Sequence, residues 1–166
     1  MKTIIVTAES YKKFVATIDE VLLGRLEYPK WSSTYPELWL RKDEGPYVIK
    51  AANFWHTKQE LLKDGIPIFL MQSKWNGHTV IHTPKEPHRV FTLKPKTTWS
   101  MNYALFSHKG EELLTIASDF SWKKFTTRYI ITCSDEFGSD EQEQLLLLLS
   151  LHFFKVIESA AAVGAS

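Results

Sequence analysis

Five consecutive leucines at positions 145–149 set the strongest limit on what this chain can fold into. They open the run Leu-Leu-Leu-Leu-Leu-Ser-Leu-His-Phe-Phe-Lys-Val-Ile, and at 3.6 residues per turn they point to every side of a helix axis. A helix apolar all round is buried or spans a bilayer. The run at 145–157 is shorter than the ~20 residues a span needs, and it contains Ser150, His152 and Lys155. Burial inside the protein is the expected outcome. Ser139 stands three residues before Gln142, the spacing of a capping box, and Asp140, Glu141 and Glu143 would fill the first turn, where the helix dipole favours acids. These signals predict a helix over about 140–160. Its polar side broadens at His152, Lys155, Glu158 and Ser159, and a small-residue tail, 160–166, is expected to fray.

Ahead of residue 134 the pattern is different. Short runs rich in Val, Ile, Thr, Phe and Tyr alternate with turn signals. Strands are predicted at 2–7, 13–18, 21–28, 37–42, 46–52, 57–63, 66–74, 78–83, 88–94, 101–107, 111–117 and 127–133. Asp64-Gly65 and Asn76-Gly77 supply the positive φ that tight hairpins require, and His108-Lys109-Gly110 joins two further strands in the same way. Consecutive hairpins make an antiparallel meander, because parallel neighbours need crossovers of about a dozen residues or more. A helix with no polar face cannot sit outside a small sheet, whereas about a dozen strands can close around it. The fold class this predicts is mainly β: an antiparallel closed barrel of about twelve strands around a hydrophobic C-terminal helix, in one domain over 1–166.

The tryptophans recur. Turns at 18–20, 63–65 and 109–111 precede Trp31, Trp75 and Trp122 by 11 to 13 residues, and Trp55 and Trp99 open the hairpins before Trp75 and Trp122. The plain reading is a hairpin unit whose Trp packs at a strand end against the core, with Trp75 and Trp122 in equivalent places. The other reading is a set of indoles lining a ligand mouth.

Net charge is +1, so no global field attracts nucleic acid or an anionic membrane, and such binding would need a local patch. Cys133 is the only cysteine, which excludes an internal disulfide and fits a reducing, cytoplasmic setting. The first apolar run, Ile4-Ile5-Val6, is too short for a signal-peptide core.

Catalytic patterns are not found. GxSxG, GxGxxG, Walker, CxxC and HExxH motifs are all missing, and the carboxylate pairs Asp43-Glu44, Glu111-Glu112 and Asp135-Glu136 read as solvated turn charges. Cys133 before an acidic loop reads as a packing residue, since a thiolate is disfavoured there. His78 and His82 would share a strand face about 13 Å apart, too far for both to bind one metal without a bend; His88 could join from the next strand, and exposed strand histidines are the plainer reading. No enzyme, metal or cofactor is expected. Two basic groupings remain: Lys123, Lys124 and Arg128, and Lys85, Arg89, Lys94 and Lys96. Each could hold a phosphate or meet an anionic lipid surface, and each also reads as lysines guarding a solvated strand edge.

The segments Phe54-Trp55-His56 to Gly65, Trp99 to Gly110, Phe120-Ser121-Trp122-Lys123-Lys124-Phe125 and the closing helix resemble the tubby C-terminal-like superfamily. That superfamily includes tubby-like proteins, phospholipid scramblases and LURP-one-related proteins, and the likeness is to its small bacterial members. The resemblance covers about residues 1 to 158 and implies a twelve-stranded barrel around a buried helix. It also implies phosphoinositide head-group binding through paired basic residues, for which Lys123-Lys124 matches by charge alone.

The functional expectation is thus a non-catalytic binding module for an anionic ligand, such as a phospholipid head group or membrane surface, without nucleic acid. Its ligand-binding candidates are Trp122, Lys123, Lys124 and Arg128. A calycin-like barrel carrying a small apolar ligand and a protein–protein interaction domain are the alternatives. A calycin helix would pack outside a hollow barrel and be amphipathic.

Overall fold

In a computed structural model the chain is described at all residues except 30–33, 43, 99–100, 122–125 and 165–166. Twelve strands follow in order: β1 (Lys2–Ser10), β2 (Lys13–Ile18), β3 (Val21–Glu27), β4 (Glu37–Leu40), β5 (Tyr47–Ala51), β6 (Lys58–Lys63), β7 (Ile66–Ser73), β8 (Thr79–His82), β9 (Val90–Pro95), β10 (Tyr103–Ser107), β11 (Glu112–Ser121) and β12 (Thr126–Cys133). Each strand pairs antiparallel with the next. β1 then pairs with β12, from Lys2 opposite Cys133 to Thr7 opposite Arg128, and this closes the barrel. Every predicted strand is present, with ends moved by a few residues. The turn between β6 and β7 shows why the hairpins are tight: Asp64 and Gly65 take φ of 51° and 79°, the pair of positive values a two-residue turn of this hand needs.

Side chains alternate along each strand, and the inward set faces one element. Ile4 and Val6, Phe14 and Ala16, Leu38 and Leu40, Phe69 and Met71, Phe91 and Leu93, and Tyr129, Ile131 and Cys133 all point into the barrel and are buried. What they surround is α1 (Glu141–Gly164). Ten consecutive residues of α1, 145–154, are buried, so the leucines pack on every side as expected. At 24 residues the helix is longer than its apolar run. A 22-residue stretch, 141–162, has the length and mean hydropathy (1.7) of a membrane span, but half of it is enclosed by the barrel. Because α1 occupies the interior, the architecture is not that of a hollow carrier barrel.

One glycine is fixed by this packing. A Cβ on Gly24 would lie 2.8 Å from the Trp39 carbonyl oxygen and 3.1 Å from Leu148 Cδ1, so β3 can pass this close to α1 only without a side chain.

Three expectations need correction. The helix cap is Asp140, not Ser139: Asp140 Oδ1 accepts from the Glu143 amide at 2.8 Å, while Ser139 Oγ donates to the Glu143 carboxylate at 3.4 Å. Aspartate is as good a cap as serine, and it places Glu143 where a capping box wants its acid. The tryptophans do not all pack on the core: Trp75 is 100% exposed and Trp55 79%. Trp122 lies outside the described residues, so its equivalence with Trp75 does too. Last, lysines guarding a strand edge have no edge to guard, because a closed sheet has none.

Candidate functional site at the barrel rim

Antiparallel order sorts the connections. Odd-numbered ones (β1–β2, β3–β4, and so on to β11–β12) gather at one end of the barrel, and even-numbered ones at the other. The helix begins at the second end, here the floor, and runs to the first, here the rim. In sequence the six rim connections hold Lys12, Lys30, Lys74, Lys96, Lys123 and Lys124 and no Asp or Glu. The floor connections hold Asp19, Glu20, Asp43, Glu44, Asp64, Glu86, Glu111, Asp135, Glu136 and Asp140 against Arg41, Lys42, Lys85, Arg89 and Lys109. A net charge of +1 thus conceals two sets of connections of opposite sign.

Aromatics follow the same division. Five of the six tryptophans, Trp31, Trp55, Trp75, Trp99 and Trp122, belong to rim connections, and Tyr11 serves in the β1–β2 turn. Among the described residues, large apolar side chains stand out from this end: Tyr11 (85% exposed), Phe54 (85%), Trp55, Trp75 and Met101 (82%). Phe54 and Trp55 contact edge to face at 5.3 Å. Only Trp39, on β4, is a wall residue, half-buried with the Arg25 guanidinium 4.7 Å from its ring.

Three carboxylates on the strands just below the rim, Glu9, Glu27 and Asp119, are held by partners. Lys13 Nζ meets Glu9 at 3.1 Å and Glu27 at 3.7 Å, Arg25 meets Glu27 at 3.1 Å, and Arg128 Nε donates to Asp119 Oδ2 at 2.8 Å. Arg128 and Asp119 are register partners across β11 and β12, so the arginine charge is balanced on the wall. Trp122, Lys123 and Lys124 lie outside the described residues; the positions on either side, Ser121 and Thr126, pair at the rim end of β11 and β12.

The second basic grouping is divided by β9. Arg89 bonds the Gln142 side chain at the floor, whereas Lys96 follows the rim end of the strand and reaches Glu112 at 3.2 Å. Lys94 lies 4.8 Å from the Phe106 ring. His82 and His88 each donate from Nδ1 to the Thr83 carbonyl, at 3.0 and 2.9 Å, and His88 Nε2 faces Glu86 at 3.1 Å. His78 stands at the opposite end of β8. Among the described residues no three His, Cys, Asp or Glu side chains converge. Cys133 is buried, and burial above all pushes its thiol pKa up.

Inside the rim the helix ends in a polar and aromatic layer. Lys155 Nζ lies 3.5 Å from the Phe14 ring centroid and 4.4 Å from that of Tyr28, and donates to Tyr28 Oη at 3.3 Å. Tyr28 Oη is 3.0 Å from His152 Nδ1, and Tyr129 Oη donates to Glu158 at 3.3 Å. Burial, with the Lys155 charge beside it, holds the His152 pKa at about 3; burial lowers that of Lys155 to about 8 against the opposing pull of Glu158. Beside Lys155 opens a cleft of about 280 Å³ lined by Tyr11, Lys12, Tyr28, Thr34, Val156 and Ser159.

The sequence reading names Trp122, Lys123 and Lys124, which lie outside the described residues, and does not name Tyr11, Phe54, Trp55, Trp75 or Lys155 as binding residues. The recurring Trp was the available signal. In a meander, alternate turns share an end, so aromatics confined to alternate turns mark one face. In comparisons with protein-family models, curated proteins and solved structures, no match to this chain was found.

Proposed function

We propose that the rim docks this protein onto an anionic lipid surface. The observation that carries the reading is exposed Tyr11, Phe54, Trp55, Trp75 and Met101 at one barrel end whose connections contain lysine and no carboxylate. Indole rings favour the bilayer interface, where the ring is dehydrated and the N–H stays wet. A lysine near an anionic leaflet contributes about 1 kcal/mol. The acidic floor, repelled by the same leaflet, orients the molecule rim-down. Apolar side chains on separate turn tips suit a fluid interface better than the continuous patch of a protein partner. Lys123 and Lys124 take part here as members of a larger basic set.

Vesicle co-sedimentation tests the proposal, with phosphatidylcholine alone, with added phosphatidylserine and with added phosphoinositide. Binding is expected to require anionic lipid and to weaken as salt shortens the Debye length from about 10 Å at 0.1 M to about 3 Å at 1 M. Trp55→Ser with Trp75→Ser removes exposed rings with no loss of core packing and should abolish most binding, and Lys123→Glu with Lys124→Glu should weaken it. No binding to any anionic vesicle at low salt, or equal binding by the aromatic variant, overturns the reading. Concentration-dependent self-association through the same residues would favour the protein-interaction alternative instead.

A further inference from the structure

Lys155 combines three features rarely found together on a lysine: an aromatic cage, a phenol partner and an open cleft. Its Nζ sits against Phe14 and Tyr28 and donates to Tyr28 Oη. Because Tyr28 Oη accepts from Lys155, its own proton points to His152 Nδ1, which fixes the buried imidazole as the neutral Nε2–H tautomer. The carboxylate one turn further along α1, Glu158, accepts from the Tyr129 hydroxyl at 3.3 Å. The groups around the amine are therefore the Phe14 ring, the Tyr28 ring with its phenol oxygen and the neutral His152 imidazole beyond it, with Glu158 the one carboxylate that acts on it. The same cleft is lined by Tyr11 and by Lys12, whose ammonium donates to the Pro29 carbonyl at 3.1 Å and lies 5.7 Å from the Tyr11 ring.

We propose that Lys155 is a nucleophilic amine of this cleft, which captures small aldehydes bearing an anionic group as reversible imines. The Nζ lone pair forms the C–N bond and one N–H proton moves to the carbonyl oxygen. The resulting hydroxyl then leaves as water with the second N–H proton, giving R–CH=N–Lys155 and one water with no change of oxidation state. Tyr28 holds the amine in place, and Lys12 attracts the ligand's anionic group. Burial lowers the Nζ pKa to about 8 from the ordinary 10.5, against the opposing pull of Glu158. At pH 8 about half of this amine is neutral, against ~0.3% of an ordinary lysine.

The probe is pyridoxal 5′-phosphate at limiting concentration, with borohydride reduction and peptide mass mapping of the native full-length chain. Lys155 is expected to be labelled about tenfold faster than the average of the other lysines, a difference that vanishes in guanidinium. Its labelling rate should rise with pH and level off above about pH 8. Pyridoxal, without the phosphate, should label more slowly. Lys155→Arg should lose the fast label and leave the slow labels unchanged. Native labelling of Lys155 no faster than that of the other lysines overturns the proposal, as does a rate still rising through pH 10 or a fast label that survives Lys155→Arg. Failure of vesicle binding would leave these results unaffected, because the cleft is tested without lipid.

Discussion

In the unfolded chain His152 takes up a proton near pH 6.5, whereas in the folded protein burial beside the Lys155 charge delays this to about pH 3. Below pH 6.5 the unfolded state therefore binds a proton that the folded state refuses. The stability linked to His152 is fully present above pH 6.5 and is lost as pH falls from 6.5 toward 3. One pKa unit corresponds to 1.36 kcal/mol, so the loss comes to about 2 kcal/mol at pH 5 and about 4 kcal/mol at pH 3. His152→Gln keeps an acceptor for the Tyr28 hydroxyl but cannot be protonated. Urea unfolding of both proteins at pH 7.5 and pH 5 isolates the effect, because carboxylate titrations are common to the two and cancel in the difference. Wild type should lose about 2 kcal/mol more than the variant over this interval. Identical pH dependence in the two proteins would refute the reasoning, since it would mean that the folded barrel accepts the proton as readily as the unfolded chain.

Two further substitutions test the packing. Ser150 Oγ is buried with no partner among the described residues, so Ser150→Ala should raise stability by about 1 kcal/mol in thermal or urea melts, and a fall would reveal a bond to that hydroxyl. Gly24→Ala places a methyl group 2.8 Å from the Trp39 carbonyl oxygen and should cost about 1–3 kcal/mol. Adding Leu148→Ala relieves only the side-chain contact and creates a cavity costing about 2–5 kcal/mol, so a double variant as stable as wild type would contradict the geometry.

The barrel was readable because its two determinants are local. Period-two alternation and turn dipeptides such as Asp64-Gly65 define strands one hairpin at a time, and residues 145–149 demand an enclosed helix whatever the strands do. The cap was misplaced by one residue because Ser139 and Asp140 are both good caps, and only the backbone path distinguishes them. The site was harder. Trp55 and Trp75 look like core residues by hydrophobicity, and only the parity of their turns places them outside. Lys155 stands one residue past the buried stretch of α1. Its partners Phe14 and Tyr28 are more than 120 residues away in the chain, so no spacing rule could join them.

Part of the separation of charge has a structural cause. α1 enters through the acidic floor with its positive N-terminal end, so Asp140, Glu141 and Glu143 complement its dipole, while its last turn carries no basic residue. That effect is about 0.3–1 kcal/mol for a charge within the terminal turn and fades quickly beyond it. It accounts for Asp140 and Glu143 at the helix start, which also make the capping contacts. It does not reach the tips of the β5–β6 and β7–β8 connections. Nor does a dipole act on uncharged Phe54, Trp55 and Trp75, whose exposed rings forgo about 25 cal/mol for every Å² of apolar surface left in water. Folding gains nothing from holding these rings out. The helix dipole thus accounts for Asp140 and Glu143 but not for the exposed aromatics of the rim, which the proposed lipid interface would take up together with lysine.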